Sequence, residues 1–203
     1  MTLILHPSYF MDVVTLGRLY KASTVLLDTN DSYVKQTYRN RCLIAGANGT
    51  LNLNIPIVHQ GSGSSVAYST IEIDHSQSWA STHLKSIGSA YRSSPYFEYY
   101  EDDLKELFAH IPQQLTDWNV KTMKWLCDLL HIPTDWAKAN NYTSDPEATY
   151  LIIAKKEYLE TLPAYAQVFQ EKHGFTPHLS ALDLLFNLGP SSRDYLKHIE
   201  TNQ

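Results

Sequence analysis

The sequence predicts an α/β fold in which an N-terminal βαβ unit and a β-hairpin build a mixed sheet, with a mainly helical C-terminal half packed against it. Three observations carry this reading. Two short apolar runs flank an amphipathic stretch within the first 28 residues. An Asn48-Gly49 pair separates two further apolar runs. Beyond residue 76 the apolar spacing changes from the strand period to the helical one. Residues 1–75 are therefore read as mostly sheet-forming and 76–203 as mostly helical, together one domain.

The first element is a buried strand over residues 3–5, closed by His6-Pro7. Proline biases the residue before it away from helical geometry, so the strand runs into a turn. Ser8 is placed to cap the following helix, on which Phe10, Val13, Val14 and Gly17 share a face. A second β-rich run covers residues 23–27 and ends in Asp28. Strand, helix and strand in so short a span favour a parallel pair with a right-handed crossover. His6 and Asp28 then both lie just past the carboxyl ends of neighbouring strands, where open α/β sheets place ligands.

Residues 42–45 and 51–58 are read as a hairpin around Asn48-Gly49. The Gly- and Ser-rich residues 61–65 form a loop without P-loop spacing, and residues 69–73 alternate as another strand. Trp79, His83, Ile87 and Tyr91 then fall on one helical stripe, with Asp74 ahead of it as a cap. A second helix starts at Pro95, and a third, capped by Thr116, runs up to Pro133. Residues 134–147 read as a polar loop, 150–154 as a strand, and Lys155 as the start of a short helix. Ser180 fits an N-cap with Asp183 at the third helical position, and Gly189-Pro190 stops that helix.

Composition bounds the partners. Hydrophobic residues are 43% and charged residues 18%, which suits a folded chain able to bury a core. The net charge of −5 and the lack of any Lys/Arg run exclude general nucleic-acid binding. No apolar stretch approaches a membrane span and no leader is recognisable, so the expected location is the cytoplasm. Cys42 and Cys127 lie in apolar segments outside any metal pattern and are read as buried thiols. No metal triad stands out, and the sequence sets neither a cofactor nor an oligomeric state. Fourteen tyrosines suit either packing layers or a ligand cleft.

Several local patterns together resemble the WbqC-like family. His6-Pro7-Ser8-Tyr9-Phe10 is similar to its opening, and Asp28 closes the second strand as in that family. Tyr38-Arg39-Asn40-Arg41 is similar to its segment ahead of the hairpin. The most specific run is Ile73-Asp74-His75-Ser76-Gln77-Ser78-Trp79, followed by His83, Lys85, Ala90-Tyr91-Arg92 and Pro95-Tyr96-Phe97. Lys124-Trp125-Leu126-Cys127 and the tail from Phe175 to Asn187 complete the likeness, which covers residues 3–132 and 173–190. Two departures stand out. The family's Gln between His6 and Pro7 is absent, and residues 134–170 do not match the glycine- and lysine-containing segment of longer members.

The resemblance implies bacterial surface-polysaccharide biosynthesis. It further implies transfer of a glycyl or other aminoacyl group to a nucleotide-linked amino sugar. Such a transfer needs a base for the acceptor amine, and His6, oriented by Asp28, is the first candidate; each could instead only stabilise its turn. Arg39 and Arg41 alternate around Asn40, giving either a two-arginine clamp for a diphosphate or carboxylate, or a surface pair. Tyr9, Arg92 and Lys85 are further substrate-binding candidates. Trp79 and His83, one turn apart, could stack a sugar or base, or pack in the core. His178, Asp183 and Asn187 are either a binding cluster or a structural hydrogen-bond network. Two other readings stand beside the transferase. One is a nucleotide-binding or nucleotidyl-transferring domain, loosely similar in its opening but with one histidine where that motif has two. The other is a shortened, non-catalytic binding protein.

Overall fold

The structure is a computed structural model that describes all residues except 59–65, 140, 142–144, 155, 157–158 and 200–203. The expected βαβ unit is present. Strands β1 (Thr2–Leu5) and β2 (Thr24–Leu27) run parallel, in register from Thr2↔Thr24 to Leu5↔Leu27. Helix α1 (Val13–Lys21) joins them. Leu3, Leu5, Val25 and Leu27 alternate inward, so the two strands bury one face together.

Helix α1 starts later than its sequence suggests. Asp12, not Ser8, is the cap, its carboxylate accepting from the Thr15 N–H at 2.7 Å. The chain first turns at Phe10, whose φ is +38°, and the Phe10 ring leaves the helix to pack against Phe108 and Trp125.

A third parallel strand, β5 (Ala137–Lys138), joins the far side of β2, inside a segment read from sequence as loop. Strands β3 (Arg41–Gly46) and β4 (Gly49–Asn54) form the Asn-Gly hairpin, with Gly49 at φ +108°. They pair with each other in a ladder of their own. The strand expected over residues 69–73 is a 3₁₀ turn (Tyr68–Thr70) followed by isolated bridges, Glu72 to Gln114 and Ile73 to Ile57.

The helical half follows. Helix α2 (Trp79–Tyr91) carries the expected buried stripe and packs on β3. Asp74 does not cap it; its carboxylate closes a local turn on the Ser76 N–H instead. Helices α3 (Phe97–Ala109) and α4 (Leu115–Leu129) come next. Thr116 is the second residue of α4 rather than its cap. Helix α5 (Pro146–Ile152) replaces the strand expected at 150–154. Asp145 accepts from Ala148 N–H and Pro146 sits in the first turn, an N-terminal signal that overrides the β-branched residues behind it. Short α6 (Gln170–His173), then α7 (Ala181–Leu188) and α8 (Ser192–Lys197), close the chain. Ser180 caps α7 as expected, and Gly189 ends it at φ +52°. The loop reading of 61–65 falls outside the described residues, as do 155 and 157–158 of the helix expected from Lys155, whose described residues 156 and 159–167 carry no helix.

Cys42 and Cys127 are free and buried, and burial pushes the Cys127 thiol up to about 12. No helix among the described residues is long and apolar enough to cross a membrane. Among them, too, no group of three His, Cys, Asp or Glu side chains could hold a metal ion.

Candidate functional site

The parallel pairing brings His6 and Asp28 together at its carboxyl rim. The contact is made by main chain: His6 Nδ1 lies 3.1 Å from the Asp28 carbonyl oxygen. A carbonyl only accepts, so Nδ1 carries the proton and donates it. The neutral ring then presents Nε2 as its unprotonated nitrogen. Nε2 faces Asp31 Oδ2 at 3.9 Å. The Asp28 carboxylate accepts from Asn30 N–H at 2.9 Å, holding the turn that carries Asp31.

Arg39 sits behind Asp31. Its Nη2 donates to Asp31 Oδ2 at 2.5 Å and its Nη1 to the Ser32 carbonyl at 2.9 Å. The guanidinium lies over the Tyr68 ring, 4.6 Å from its centre. The Tyr68 hydroxyl donates to the Pro7 carbonyl and accepts from Asn119 Nδ2, both at 2.6 Å. Asn119 Nδ2 also reaches the Arg39 carbonyl at 2.6 Å. His6, Asp28, Arg39, Tyr68 and Asn119 are all buried; Asp31, 21% exposed at its side chain, is where the cluster reaches the surface. Burial and the Arg39 charge hold the His6 imidazole below its ordinary range, while the Asp28 carbonyl and Asp31 pull against them. At neutral pH the ring is therefore an uncharged base.

The two arginines do not form the expected open clamp. Arg39 is fully buried and engaged. Arg41 opens β3, half-buried, with no carboxylate partner among the described residues, and its Nε is buried without an acceptor. Both charges still act on one group, the Tyr33 phenol, which burial raises and the two guanidiniums lower. Asn40 fastens the hairpin, Nδ2 donating to the Ile55 carbonyl at 3.1 Å.

The other candidates are placed elsewhere. Tyr9, Trp79 and His83 meet in the core. The Tyr9 hydroxyl lies 2.9 Å from His83 Nδ1, and His83 Nε2 lies 3.2 Å from the Asn54 carbonyl. Because that carbonyl accepts, Nε2–H donates and Nδ1 receives the Tyr9 proton. Trp79 packs edge-on to His83. Burial takes the His83 imidazole down to about 4. Arg92 is exposed, pairs with Glu101 at 3.0 Å, and lines a groove of about 680 Å³ between α2 and α3 with Lys85 and Phe97.

His178 and Asp183 belong to two different networks. Asp183 Oδ2 accepts from Tyr165 at 2.6 Å and Gln167 at 2.8 Å, and burial raises its carboxyl. Asn187 Nδ2 donates to the Asp183 carbonyl at 2.8 Å. His178, at φ +61°, lies toward a buried ionic cluster of Asp12, Arg18, Lys156 and Glu160.

Sequence reasoning missed Asp31, Tyr68 and Asn119 as partners of His6. Asn119 had a signal: a polar residue one position from the apolar stripe of α4, beside Trp118 and Val120.

The model of the family described as the WbqC-like protein family matches residues 18–162. An uncharacterized protein of Mycobacterium tuberculosis, Rv1507c, is 25% identical over 196 residues, covering 82% of this chain and 84% of its own length. No solved structure matches.

Proposed function

Since this chain belongs to the WbqC-like protein family, we propose that it transfers an aminoacyl group, such as glycyl, to the amine of a nucleotide-linked amino sugar in surface-polysaccharide biosynthesis. One observation supports this above the rest: His6 is fixed by the Asp28 carbonyl in the tautomer that leaves Nε2 unprotonated. Family likeness alone does not set chemistry, so the reading rests on what these groups can do.

Amide formation from an activated acyl donor requires the amine nitrogen to attack the carbonyl carbon. The new C–N bond forms, the bond to the leaving group breaks, and the amine proton must be removed. His6 Nε2 takes that proton and returns it to the leaving group. Asp31 stabilises the imidazolium that forms, and Arg39 fixes the Asp31 carboxylate. Arg41, which opens β3, is one cation available to an anionic part of the substrate.

The test pairs binding with turnover. Thermal shift against nucleotide sugars, nucleotides and aminoacyl donors finds the ligand, because a ligand that binds only the folded form raises its melting temperature. Mass spectrometry then looks for the amide product. His6→Gln should cut transfer by roughly 10²–10⁴-fold while leaving the fold intact. A second reading, a non-catalytic binding protein, draws on the 2% exposure of His6. It gains if His6→Gln unfolds the chain, or if ligands bind and no amide appears.

A further inference from the structure

A group of unengaged donors lies beside the His6 cluster rather than in it. A cleft of about 460 Å³ opens between the carboxyl ends of β2 and β5 and the first turn of α4. Thr29, Thr116, Asp117, Lys121, Lys124 and Lys138 line it. Its wall is continuous with the cluster: Leu27 and Thr29 flank Asp28, Ser69 follows Tyr68, and Val120 follows Asn119.

Gln114 caps α4 without a side-chain hydrogen bond, and Leu115 N–H is taken by the Ile71 carbonyl. The Thr116 and Asp117 N–H groups meet no acceptor among the described residues. Thr116 is only 5% exposed, yet its hydroxyl has no partner there either. The Thr116 side chain is otherwise covered and lines the cleft, so its hydroxyl is free to bond a ligand there. Lys124 Nζ stands 6.0 Å from the centre of the Trp136 ring. Neither Lys124 nor Lys138 pairs with a carboxylate among the described residues. Lys121 is different: its ammonium donates to the His110 carbonyl at 2.6 Å, so only its stem serves the cleft.

Free N–H groups at a helix start, a hydroxyl and two cations outnumber the acceptors of the cleft, the Gln114 amide oxygen and the Asp117 carboxylate, and suit an anion of several oxygens. Asp117 is the one opposing charge. We infer that this cleft binds the phosphate or diphosphate group of the substrate. The inference rests on the proposed nucleotide-linked substrate in taking a diphosphate as the natural occupant. It would seat that group at the sheet rim, against Leu27 and Thr29 on either side of Asp28.

Calorimetric titration with inorganic pyrophosphate, uridine diphosphate and a uridine-diphosphate-linked amino sugar tests this. Pyrophosphate should bind, more weakly as salt rises. Lys124→Ala/Lys138→Ala should weaken it at least tenfold and Thr116→Val severalfold, whereas Asp117→Asn should tighten it. His6→Gln should leave pyrophosphate binding unchanged. Both lysines are exposed, so the double variant keeps its fold, checked by circular dichroism. Pyrophosphate binding that is absent, or that survives the double lysine variant undiminished, overturns the cleft. If the nucleotide sugar then still binds and turns over in a His6-dependent way, the transfer reading stands without it. Intact lysine-dependent pyrophosphate binding with no amide product has the opposite meaning: the cleft holds and the transfer reading falls.

Discussion

The Nδ1–H of His6 donates to the main-chain oxygen of Asp28, 3.1 Å away, so a backbone group and not a carboxylate sets which imidazole nitrogen is free. The arrangement comes directly from the parallel register Leu5↔Leu27, which puts the residue after each strand at the same rim. It is insensitive to the Asp28 side chain in kind. Asp28→Asn should therefore retain most of any His6-dependent activity, while losing part of the turn that positions Asp31. A His6-like loss of activity in Asp28→Asn, measured as kcat on the amide-forming reaction, would assign the carboxylate a direct role.

Arg39 and Asp31 should move the His6 titration in opposite directions. Arg39 lowers the imidazole and Asp31 raises it. Arg39→Met should thus raise the His6 pKa, and Asp31→Asn should lower it further, each followed by NMR. Arg39→Met should also cost about 3–5 kcal/mol of stability, because a buried ion pair is broken and the Tyr68 face is uncovered. Chemical denaturation reads that cost.

His83 makes stability depend on pH. Its folded imidazole sits near 4, against 6.5 when unfolded. The unfolded chain therefore binds the proton more readily between those values. The stabilising contribution is fully present above pH 6.5, declines as pH falls, and is lost below about 4; it amounts to about 3 kcal/mol. His6 and His178 are lowered too and act with the same sign. In His83→Gln the urea midpoint should fall less between pH 7 and 4.5 than in the parent chain. Tyr9→Phe leaves His83 Nδ1 without its donor and should cost about 1–3 kcal/mol.

Much of this fold is legible because its signals are local. Leu3, Leu5, Val25 and Leu27 announce two strands, Asn48-Gly49 a hairpin, and Ser180 with Gly189 both ends of α7. What escapes is set by distant chain. Strand β5 has two residues, and its ladder partners are Leu26 and Leu27, far earlier in sequence. Arg39 reads as half of an open clamp or of a surface pair until Asp31, Tyr68 and Asn119 close around it. The Asp145-Pro146 start of α5 was a local signal hidden by the isoleucines behind it. Of the candidate residues, His6 and Asp28 meet because the parallel register brings two strand ends together, and Arg39 joins them through Asp31, while Arg92 and Asp183 do not because they ride on helices packed elsewhere.

Gly189 tests the end of α7. At φ +52°, an added Cβ would stand 2.5 Å from Cδ1 of the Tyr96 ring. Gly189→Ala should cost roughly 2–4 kcal/mol from backbone strain and overpacking together. Adding Tyr96→Ala should relieve the steric part alone, so the double variant should stay less stable than Tyr96→Ala by itself. Thermal unfolding of the three chains gives the comparison.

The most direct test of the account is ¹⁵N NMR of the histidine rings across pH. His6 should show a protonated Nδ1 and an unprotonated Nε2 at neutral pH, titrating below 6.5. An Nε2–H tautomer, or a charged ring at pH 7, would contradict the assignment of Nε2 as the base and with it the proposed transfer.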